Sequence, residues 1–293
     1  MRIGLLGTGP WARSTHAPAL NAHPDVDFTG VWGRRPEAAA ALAEACAVRA
    51  YDDPDALIKD CDAVAIALPP AVQAPFAVRA AEAGRHLLLD KPLAVTVEDA
   101  RRVADAAADN AVASVVFFTM RFGAATRPWI AEQAAAGGWF TARADWVASV
   151  FTSGTSPYAA SPWRREKGAL WDVGPHALSV LLPILGDAVD VHAVHGPGDT
   201  VHLALRHADG ASSTSTLSLT APPAAAGVGV ELRGDSGVTT LPPRAGGDTQ
   251  TAAFGRAVDA LITAARTGEP HTCDVRFGQR VVEILAAAER DAT

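Results

Sequence analysis

The chain has 293 residues, 49% of them hydrophobic, and its formal net charge is −7 at pH 7. This length exceeds the usual size of one domain, so we expect two domains, and the acidic balance without a basic run argues against a nucleic-acid partner. No apolar stretch approaches the roughly 18 uninterrupted residues of a membrane span, and no signal peptide is recognised. The cysteines Cys46, Cys61 and Cys273 are scattered and odd in number, which is typical of reduced thiols in a cytoplasmic protein.

A short apolar strand, Ile3–Leu6, runs directly into a glycine-rich turn. The turn has the spacing G-x-G-x-x-A, which is typical of dinucleotide-binding βαβ units. Gly7 permits a tight turn, Gly9 lets backbone N–H groups approach a pyrophosphate, and Ala12 lets the next helix lie close to the strand. The predicted cofactor-binding residues of this turn are Gly7, Thr8, Gly9, Pro10, Trp11 and Ala12.

The second strand, Val26–Trp32, ends in Gly33, Arg34 and Arg35. An acidic residue at this place holds the ribose hydroxyls of NAD(H), whereas basic residues accept the 2′-phosphate of NADP(H). Because no carboxylate repels the phosphate and two guanidinium groups are available to bind it, the sequence favours NADP(H) over NAD(H). The alternative is that both arginines are solvated at the start of a helix whose first residue is Pro36.

Further βαβ units follow up to Thr119, near which we place the domain boundary. The apolar run Ala63–Leu68 indicates a buried parallel strand, and the Pro69-Pro70 turn after it lies where such sheets bind ligands. The strand that begins at His86 ends in Asp90-Lys91-Pro92. The other predicted elements here are helices over 37–45, 53–58, 75–83 and 97–108 and strands over 48–51 and 113–118.

Beyond Thr119 the pattern changes to strands of period two. Residues 140–150, 201–205 and 216–219 alternate apolar and polar side chains, which indicates a sheet covered on one face. Residues 152–162 form a predicted loop, and residues 254–266 and 277–290 are predicted helices. The histidines interpreted as surface residues are His192, His195, His202 and His207.

Several motifs in a fixed order carry a family resemblance. They are the glycine-rich turn, His16-Ala-Pro-Ala-Leu20, Asp62–Pro70, Ala83–Pro92, Arg121-Phe122 and Lys167–His176. Together they resemble the glucose–fructose oxidoreductase, inositol dehydrogenase and MocA (GFO/IDH/MocA) family. The resemblance implies an α/β Rossmann dinucleotide-binding domain over residues 1–118 and an α+β domain over residues 119–293. The latter has a large, mostly antiparallel open sheet, and its last helix packs back on the first domain.

The resemblance also implies a homo-oligomer, a dimer or tetramer formed through the open sheet; the alternative is a solvated sheet face. Further cofactor-binding residues implied by the family are Leu68, Pro69, Pro70, Gln73, Asp90, Lys91, Arg121, Trp163 and Arg164. For Trp163 and Arg164 the alternative is an anchor for the preceding loop.

Four positions depart from the family pattern and leave the substrate class open. Asp90 replaces the usual Glu of Glu-Lys-Pro, and Gln73 replaces a His. Lys167 replaces the first Gly of its motif, and Ser179 replaces an Asp that often follows the motif histidine.

Hydride transfer between a carbinol carbon and a nicotinamide requires that the hydroxyl proton leave with the hydride, or return in reduction. The reaction needs a proton-transfer group near the oxygen and a positive charge for the developing alkoxide. His176 suits the first role and Lys91 the second, and the Lys91 amine is also a candidate proton donor. Asp172, four residues before His176, is placed to orient the imidazole or to contact a substrate hydroxyl. The alternatives are a helix cap for Asp172 and a core histidine for His176.

The sequence therefore predicts an NADP(H)-dependent oxidoreductase acting on a small molecule, which by resemblance is a sugar, sugar derivative or cyclitol. Two alternatives stay open: a reductase of the same fold for a non-sugar ketone or imine, and a non-catalytic regulator that senses cofactor or ligand. The joint presence of Lys91, Asp172 and His176 favours an enzyme. No metal is expected, because no third ligand at zinc spacing accompanies Asp172 and His176.

Overall fold

The structure is a computed structural model that describes residues 1–292. It divides into two units: the first comprises Met1–Phe122 and Gly247–Arg280, and the second comprises Gly123–Gly246 and the chain from Val281 onward. The first unit is therefore discontinuous in sequence, whereas the sequence analysis draws one division near Thr119. The returning segment carries apolar side chains such as Phe254, which is fully buried against the ring of Phe117 in the same unit.

Six strands form the sheet of the first unit: β1 (Arg2–Leu6), β2 (Asp27–Trp32), β3 (Arg49–Tyr51), β4 (Ala63–Ile66), β5 (His86–Asp90) and β6 (Ser114–Phe117). All neighbours are parallel, in the order β3-β2-β1-β4-β5-β6, so the predicted Rossmann fold is confirmed. The strand order reverses between β1 and β4, and sheets of this kind bind ligands at the carboxyl ends of the strands beside that point.

Five helices accompany these strands: α1 (Ala17–Ala22), α2 (Pro36–Cys46), α3 (Pro54–Asp60), α4 (Pro70–Glu82) and α5 (Val97–Asp109). The start of α4 is five residues earlier than the predicted Pro75, and β4 ends two residues before the predicted Leu68. Proline is tolerated at the first helical position because the N–H there has no helical partner, and Pro70 takes that position. A helix cap starts α5, where the Thr96 side chain accepts a hydrogen bond from the backbone N–H of Asp99 at 3.1 Å.

The second unit contains the other six strands: β7 (Trp139–Val147), β8 (Ala188–His195), β9 (Val201–His207), β10 (Ser212–Ser218), β11 (Gly227–Gly234) and β12 (Gly237–Thr240). They form one sheet in the order β12-β11-β7-β10-β9-β8, and only the β7–β10 pair is parallel. This confirms the predicted, mostly antiparallel sheet. One face buries Ala142, Ala144 and Trp146, whereas Thr214 on the other face is exposed.

Three helices belong to the same unit: α6 (Thr126–Ala136), α7 (Pro162–Asp172) and α8 (Gly174–Leu185). Nearly every residue of α8 is buried, because the helix packs against both α6 and β7. Among the described residues, only the stretch Pro162–Leu185 is long and apolar enough by composition to cross a membrane. Since 83% of its most apolar window is buried inside the protein, the stretch has the character of a core helix.

Two long helices follow the sheet of the second unit, α9 (Gln250–Thr267) and α10 (Val275–Asp291). Helix α9 packs on β5 and β6 of the first unit, to which it belongs. Helix α10 begins in the first unit and continues into the second from Val281.

The three cysteines are free, as the scattered positions predict. Burial raises the pKa of the Cys61 thiol to about 11 and that of the Cys273 thiol to about 11. Both thiols therefore stay protonated and unreactive near neutral pH.

His207, at the end of β9, is fully buried, so its assignment to the surface is wrong. The period-two pattern explains the error, because residue 207 continues the buried face formed by Val201, Leu203 and Leu205. Nδ1 of His207 donates to the carbonyl oxygen of Gly186 at 2.8 Å, and Nε2 accepts from the Ser213 hydroxyl at 2.9 Å. Burial in this neutral state lowers the pKa of His207 from its ordinary value of 6.5.

We expect acidification to destabilise the wild-type protein more than a His207→Gln variant. Because the folded-state pKa is lowered, the neutral histidine contributes fully above about pH 6.5, and this contribution is lost as the pH falls from there towards the folded-state pKa. Urea unfolding at about pH 8 and about pH 5.5 measures the difference. The matched control is His202→Gln on the exposed face of the same strand. An equal pH dependence in both variants would show that the protonation of His207 does not limit stability.

Candidate cofactor-binding and active site

The glycine-rich turn lies at the carboxyl end of β1, beside the point where the strand order reverses. Gly7 has φ +135°, and a Cβ there would lie 2.4 Å from the carbonyl oxygen of Ala67, which follows β4. By contrast, a Cβ at Gly9 would meet no atom within 4 Å. Gly7 is therefore required by close backbone packing, and Gly9 leaves open space over the N–H groups of the turn. The turn thus fits the pyrophosphate of a dinucleotide.

The other residues of the turn tie it to neighbouring elements. Ala12 is fully buried and begins a π-helical turn, Ala12–His16, that leads into α1. The Trp11 ring stacks on Phe117 with 6.4 Å between ring centroids. Pro10, between Gly9 and Trp11, is partly exposed.

Arg34 and Arg35 lie immediately beyond β2, and both side chains are exposed. Neither guanidinium forms an ion pair with another described residue. A Cβ on Gly33 would approach the side chain of Thr8 to 2.6 Å, so the end of β2 lies directly against the glycine-rich turn. The two arginines therefore offer uncompensated positive charge next to the predicted cofactor site.

Sequence reasoning missed a third guanidinium at this turn. Nη1 of Arg13 donates to the carbonyl oxygen of Thr8 at 3.1 Å, and the Arg13 side chain is exposed. Its position one helical turn after Gly9 was the available signal, since side chains in a first helical turn point back towards the helix N-terminus.

Asp90 ends β5, and one oxygen of its carboxylate is held on two sides. Nε1 of Trp11 donates to Oδ1 of Asp90 at 3.2 Å, and Nε2 of His16 lies 3.2 Å from the same oxygen. The His16 ring is fully buried and packs on Phe254 with 4.0 Å between ring centroids. The sequence contained His16 within a family motif, but no role for it could be predicted from that motif. Lys91 follows directly and is joined to Pro92 by a cis peptide bond.

Gln73 is completely buried in the second turn of α4. Its Nε2 donates to the carbonyl oxygens of Asp90 at 2.8 Å, Pro92 at 3.2 Å and Leu93 at 3.2 Å. Its Oε1 accepts from the backbone N–H of Asp90 at 2.9 Å. Because the side chain is buried and its polar atoms are hydrogen-bonded, Gln73 has no free polar atom for the predicted contact with a cofactor. Instead, it binds the backbone of the Asp90–Leu93 segment.

The remaining predicted cofactor residues of the first unit lie near strand ends. Leu68 and Pro69 are partly exposed between β4 and α4, and Pro70 is buried at the first position of α4. Arg121 lies in a short 3₁₀ helix, Thr119–Phe122. Its Nη2 donates to the Thr272 hydroxyl at 3.0 Å.

In the second unit, Trp163 and Arg164 occupy the first turn of α7, directly after the predicted loop. The Arg164 guanidinium lies over two rings, 4.7 Å from the centroid of Tyr158 and 4.6 Å from that of Trp163. Its Nε donates to Oδ2 of Asp172 at 2.9 Å, and Nη1 donates to the Ser161 hydroxyl at 3.3 Å. The structure thus pairs Arg164 with a predicted catalytic residue.

Gly168 lies between Arg164 and Asp172 in sequence and breaks helix α7 there. This break makes the ion pair between the two residues compatible with the fold. Gly168 adopts φ 63° and ψ −161°, which an L side chain rarely tolerates. The conformation explains why a glycine stands between Lys167 and Ala169 in the predicted motif.

His176 lies in the first turn of α8, close in sequence to Asp172 at the end of α7. Its ring stacks on Trp146 of β7, with 5.7 Å between ring centroids and an interplanar angle of 11°. Trp146 is 5% exposed, so it presents a fixed surface that sets the plane of the imidazole. Sequence reasoning placed Trp146 on the apolar face of its strand but did not connect it with His176.

One group of described residues has side chains close enough to hold a metal ion: His23, Asp25 and Asp259, with ligand atoms within 4.8 Å of one another. Nδ1 of His23 accepts from the backbone N–H of Asp25 at 3.2 Å, and Nε2 lies 3.1 Å from Oδ1 of Asp259. Both ring nitrogens are thus hydrogen-bonded, and the two carboxylates are exposed. Hydrogen bonds at both ring nitrogens of His23 account for this group without a metal.

Comparisons with known proteins agree with this architecture. A model of an oxidoreductase family with an NAD-binding Rossmann fold, GFO/IDH/MocA, matches residues 1–118, and a GFO/IDH/MocA C-terminal domain model matches residues 144–240. A dTDP-3,4-didehydro-2,6-dideoxy-alpha-D-glucose 3-reductase from Streptomyces violaceoruber is 33% identical over 208 residues, which cover 69% of this chain and 59% of the relative. An inositol 2-dehydrogenase from Rhizobium meliloti is 34% identical over 124 residues, which cover 42% of this chain and 37% of the relative.

The chain thus spans less than two thirds of the length of these two relatives. A solved structure of levoglucosan dehydrogenase, in complex with NADH and levoglucosan, shares the fold with a TM-score of 0.85 and 22% identity. That match covers 100% of this chain and 97% of the other. The two family models together account for the parallel sheet and most of the antiparallel sheet. This chain belongs to the GFO/IDH/MocA family of oxidoreductases, with an NAD-binding Rossmann domain.

Proposed function

We propose that this protein is an NADP(H)-dependent oxidoreductase that moves a hydride between the nicotinamide and a CH–OH or C=O group of a sugar, sugar derivative or cyclitol. The observation that carries the proposal is the position of Lys91 in the parallel sheet. It directly follows β5, two strands from β1, whose glycine-rich turn is open at Gly9. A dinucleotide would be held at its pyrophosphate by this turn, and Lys91 would then supply a positive charge at the carboxyl end of a nearby strand.

We assign different steps of the reaction to different residues of this chain. A bound nicotinamide would supply the acceptor for the hydride that the carbinol carbon loses on oxidation. His176 would take the proton of the hydroxyl. Lys91 stabilises the negative charge that develops on the oxygen. Asp172, held by Arg164 at 2.9 Å, contacts a substrate hydroxyl or supports the imidazole. Reduction runs the same steps in reverse.

The proposed substrate class draws on the relatives. Their names include a dTDP-linked keto sugar reductase, an inositol dehydrogenase and a levoglucosan dehydrogenase. Each of these names contains an oxygenated ring compound: a dTDP-linked sugar, inositol or levoglucosan. Asp172 and Arg164 are polar groups of the kind that bind sugar hydroxyls, which supports the same class for this chain.

The test is a screen of the full-length protein with NADP⁺ and with NADPH, followed by nicotinamide absorbance. The panel contains free sugars, cyclitols, nucleotide-linked sugars and keto sugars, together with apolar ketones and imines as comparison compounds. We expect turnover with a hydroxylated ring compound and faster turnover than with an apolar ketone. Tight cofactor binding without turnover on any of these compounds would favour the non-catalytic regulator.

The preference for NADP(H) rests on Arg34 and Arg35, which are exposed, form no ion pair with the residues that the structure describes, and lie next to the turn. We expect an Arg34→Ser/Arg35→Ser double variant to bind NADPH about 10- to 100-fold more weakly, because charge-assisted hydrogen bonds to the 2′-phosphate are lost. NADH binding should change by no more than about twofold, since NADH lacks this phosphate. Fluorescence titration of both cofactors measures the two constants.

The matched control for this double variant is Arg101→Ser/Arg102→Ser, which removes the same net charge from two adjacent exposed arginines of α5. The control should leave both cofactor constants unchanged. An equal loss for NADPH and NADH in the Arg34/Arg35 variant would contradict the assignment to the 2′-phosphate.

We also propose that the exposed face of the antiparallel sheet joins copies of this chain into a dimer or tetramer. The face carries Val194, whose exposed fraction is 65%, beside polar side chains such as Thr214. The three free cysteines agree with a cytoplasmic location, which stays a prediction.

A further inference from the structure

The Asp90–Leu93 segment, which contains Lys91, is hydrogen-bonded by the buried side chain of Gln73. Gln73 uses a single amide group to bind the backbone before Lys91 at Asp90 and the backbone after it at Pro92 and Leu93. The amide is completely buried, so water does not compete for these partners.

The chemistry of the amide matches this arrangement. Glutamine provides two N–H donors and one carbonyl acceptor on a flexible side chain, and here the donors serve three carbonyl oxygens while the acceptor serves one N–H. A neutral histidine in its place would offer only one donor and one acceptor. Glutamine therefore brings more hydrogen bonds to the Asp90–Leu93 backbone than a histidine allows.

The side chain of Asp90 is fixed as well, so Lys91 follows a residue that is held at both its backbone and its carboxylate. Trp11 and His16 bind the carboxylate of Asp90, and Gln73 binds its main chain. Side chains that act on a reacting atom gain most from such pre-organisation, and an error of about 1 Å in position can cost about 10²-fold in rate.

We propose that Gln73 is a positioning residue whose buried amide fixes the backbone on both sides of Lys91 and thereby sets where the Lys91 ammonium is held during hydride transfer. This inference rests on the proposed oxidoreductase function. Gln73 touches neither substrate nor cofactor and acts only through the Asp90–Leu93 segment. Its loss should therefore slow the chemical step while leaving cofactor binding largely intact.

The experiment compares Gln73→Met with Gln73→His in the full-length protein. Methionine matches the length of glutamine but makes none of the four hydrogen bonds, whereas histidine restores up to two of them. We expect kcat to fall about 10²-fold in Gln73→Met and about 10-fold in Gln73→His, with the NADPH dissociation constant within about threefold of wild type in both. Recovery of kcat by the histidine variant separates positioning from a general loss of packing.

A destabilised control removes the ambiguity between lower stability and lost positioning. Val103→Ala creates a cavity at a fully buried site of α5 and should lower the melting temperature without changing kcat. If Gln73→Met loses stability in the same way but keeps wild-type kcat per folded molecule, the inference is wrong. If Gln73→Met does not fold, the Gln73→His variant alone decides through its kcat and NADPH constants.

A second readout does not depend on turnover. The chain has only three lysines, Lys59, Lys91 and Lys167, so reductive methylation with formaldehyde and borohydride can be followed at each by peptide mass spectrometry. In Gln73→Met the Asp90–Leu93 segment should be more mobile. The methylation rate of Lys91 should then rise at least about threefold relative to that of exposed Lys59, with the rate of Lys167 unchanged. If the wild-type protein shows no turnover but Gln73→Met raises the Lys91/Lys59 methylation ratio, the proposed function is wrong and the positioning of Lys91 by Gln73 is supported. An unchanged ratio in Gln73→Met overturns the inference itself.

Discussion

A Lys91→Met variant is expected to lose about 10²- to 10³-fold or more of its turnover while binding NADPH within about twofold of wild type. Methionine has a similar length and no charge, so the variant removes the ammonium and little else. The developing alkoxide then has no positive partner, and that loss acts on the transition state more than on the bound ground state.

The variant should fold, because the backbone of this segment is held by Gln73 and the preceding Asp90 side chain by Trp11 and His16. Steady-state kinetics give kcat and KM, and fluorescence titration gives the NADPH constant. The matched control is Lys59→Met on α3, which makes the same change of charge at an exposed site and should leave kcat unaltered. Wild-type turnover in Lys91→Met would remove the lysine from the chemistry.

Much of the first unit could be predicted because its signals are local. Gly7 and Gly9 are separated by one residue, and the structure gives each a distinct physical reason, close packing against Ala67 for one and open space for the other. The buried run at β4 likewise needed no knowledge of distant contacts. The start of α4 was misjudged, since both Pro70 and Pro75 satisfy the proline preference of a first helical turn and only the tertiary structure distinguishes them.

The candidate site was less predictable where partners are far apart in sequence. Gln73 and Asp90 are 17 residues apart, and the pairing of Trp146 with His176 joins a strand to a helix. A side chain's type states what bonds it can form, but the fold decides which partners it meets. For this reason, the sequence could predict that Gln73 belongs to the site. Residue spacing could not show that the Gln73 amide binds the Asp90–Leu93 backbone. The burial of His207 shows the opposite case, since the alternation along β9 already contained the answer.

A His176→Gln variant is expected to lose about 10²- to 10⁴-fold of its turnover and one limb of the pH profile of kcat/KM. Glutamine keeps a hydrogen-bonding group at the same place, but its amide does not take up or release a proton near neutral pH. Because Trp146 sets the plane of the ring, the loss should follow from the missing proton transfer and not from disorder around α8. The control is His195→Gln, an exposed histidine on β8 in the same unit.

A Lys91→Arg variant completes the test, because arginine keeps the positive charge but does not release a proton near neutral pH. If His176 transfers the proton, the limb that is lost in His176→Gln is retained in Lys91→Arg, at a reduced rate. If the lysine amine transfers the proton, that limb is lost in Lys91→Arg and retained in His176→Gln. Comparing the two profiles therefore assigns the proton to one residue, since charge stabilisation and proton transfer are changed separately in the two variants.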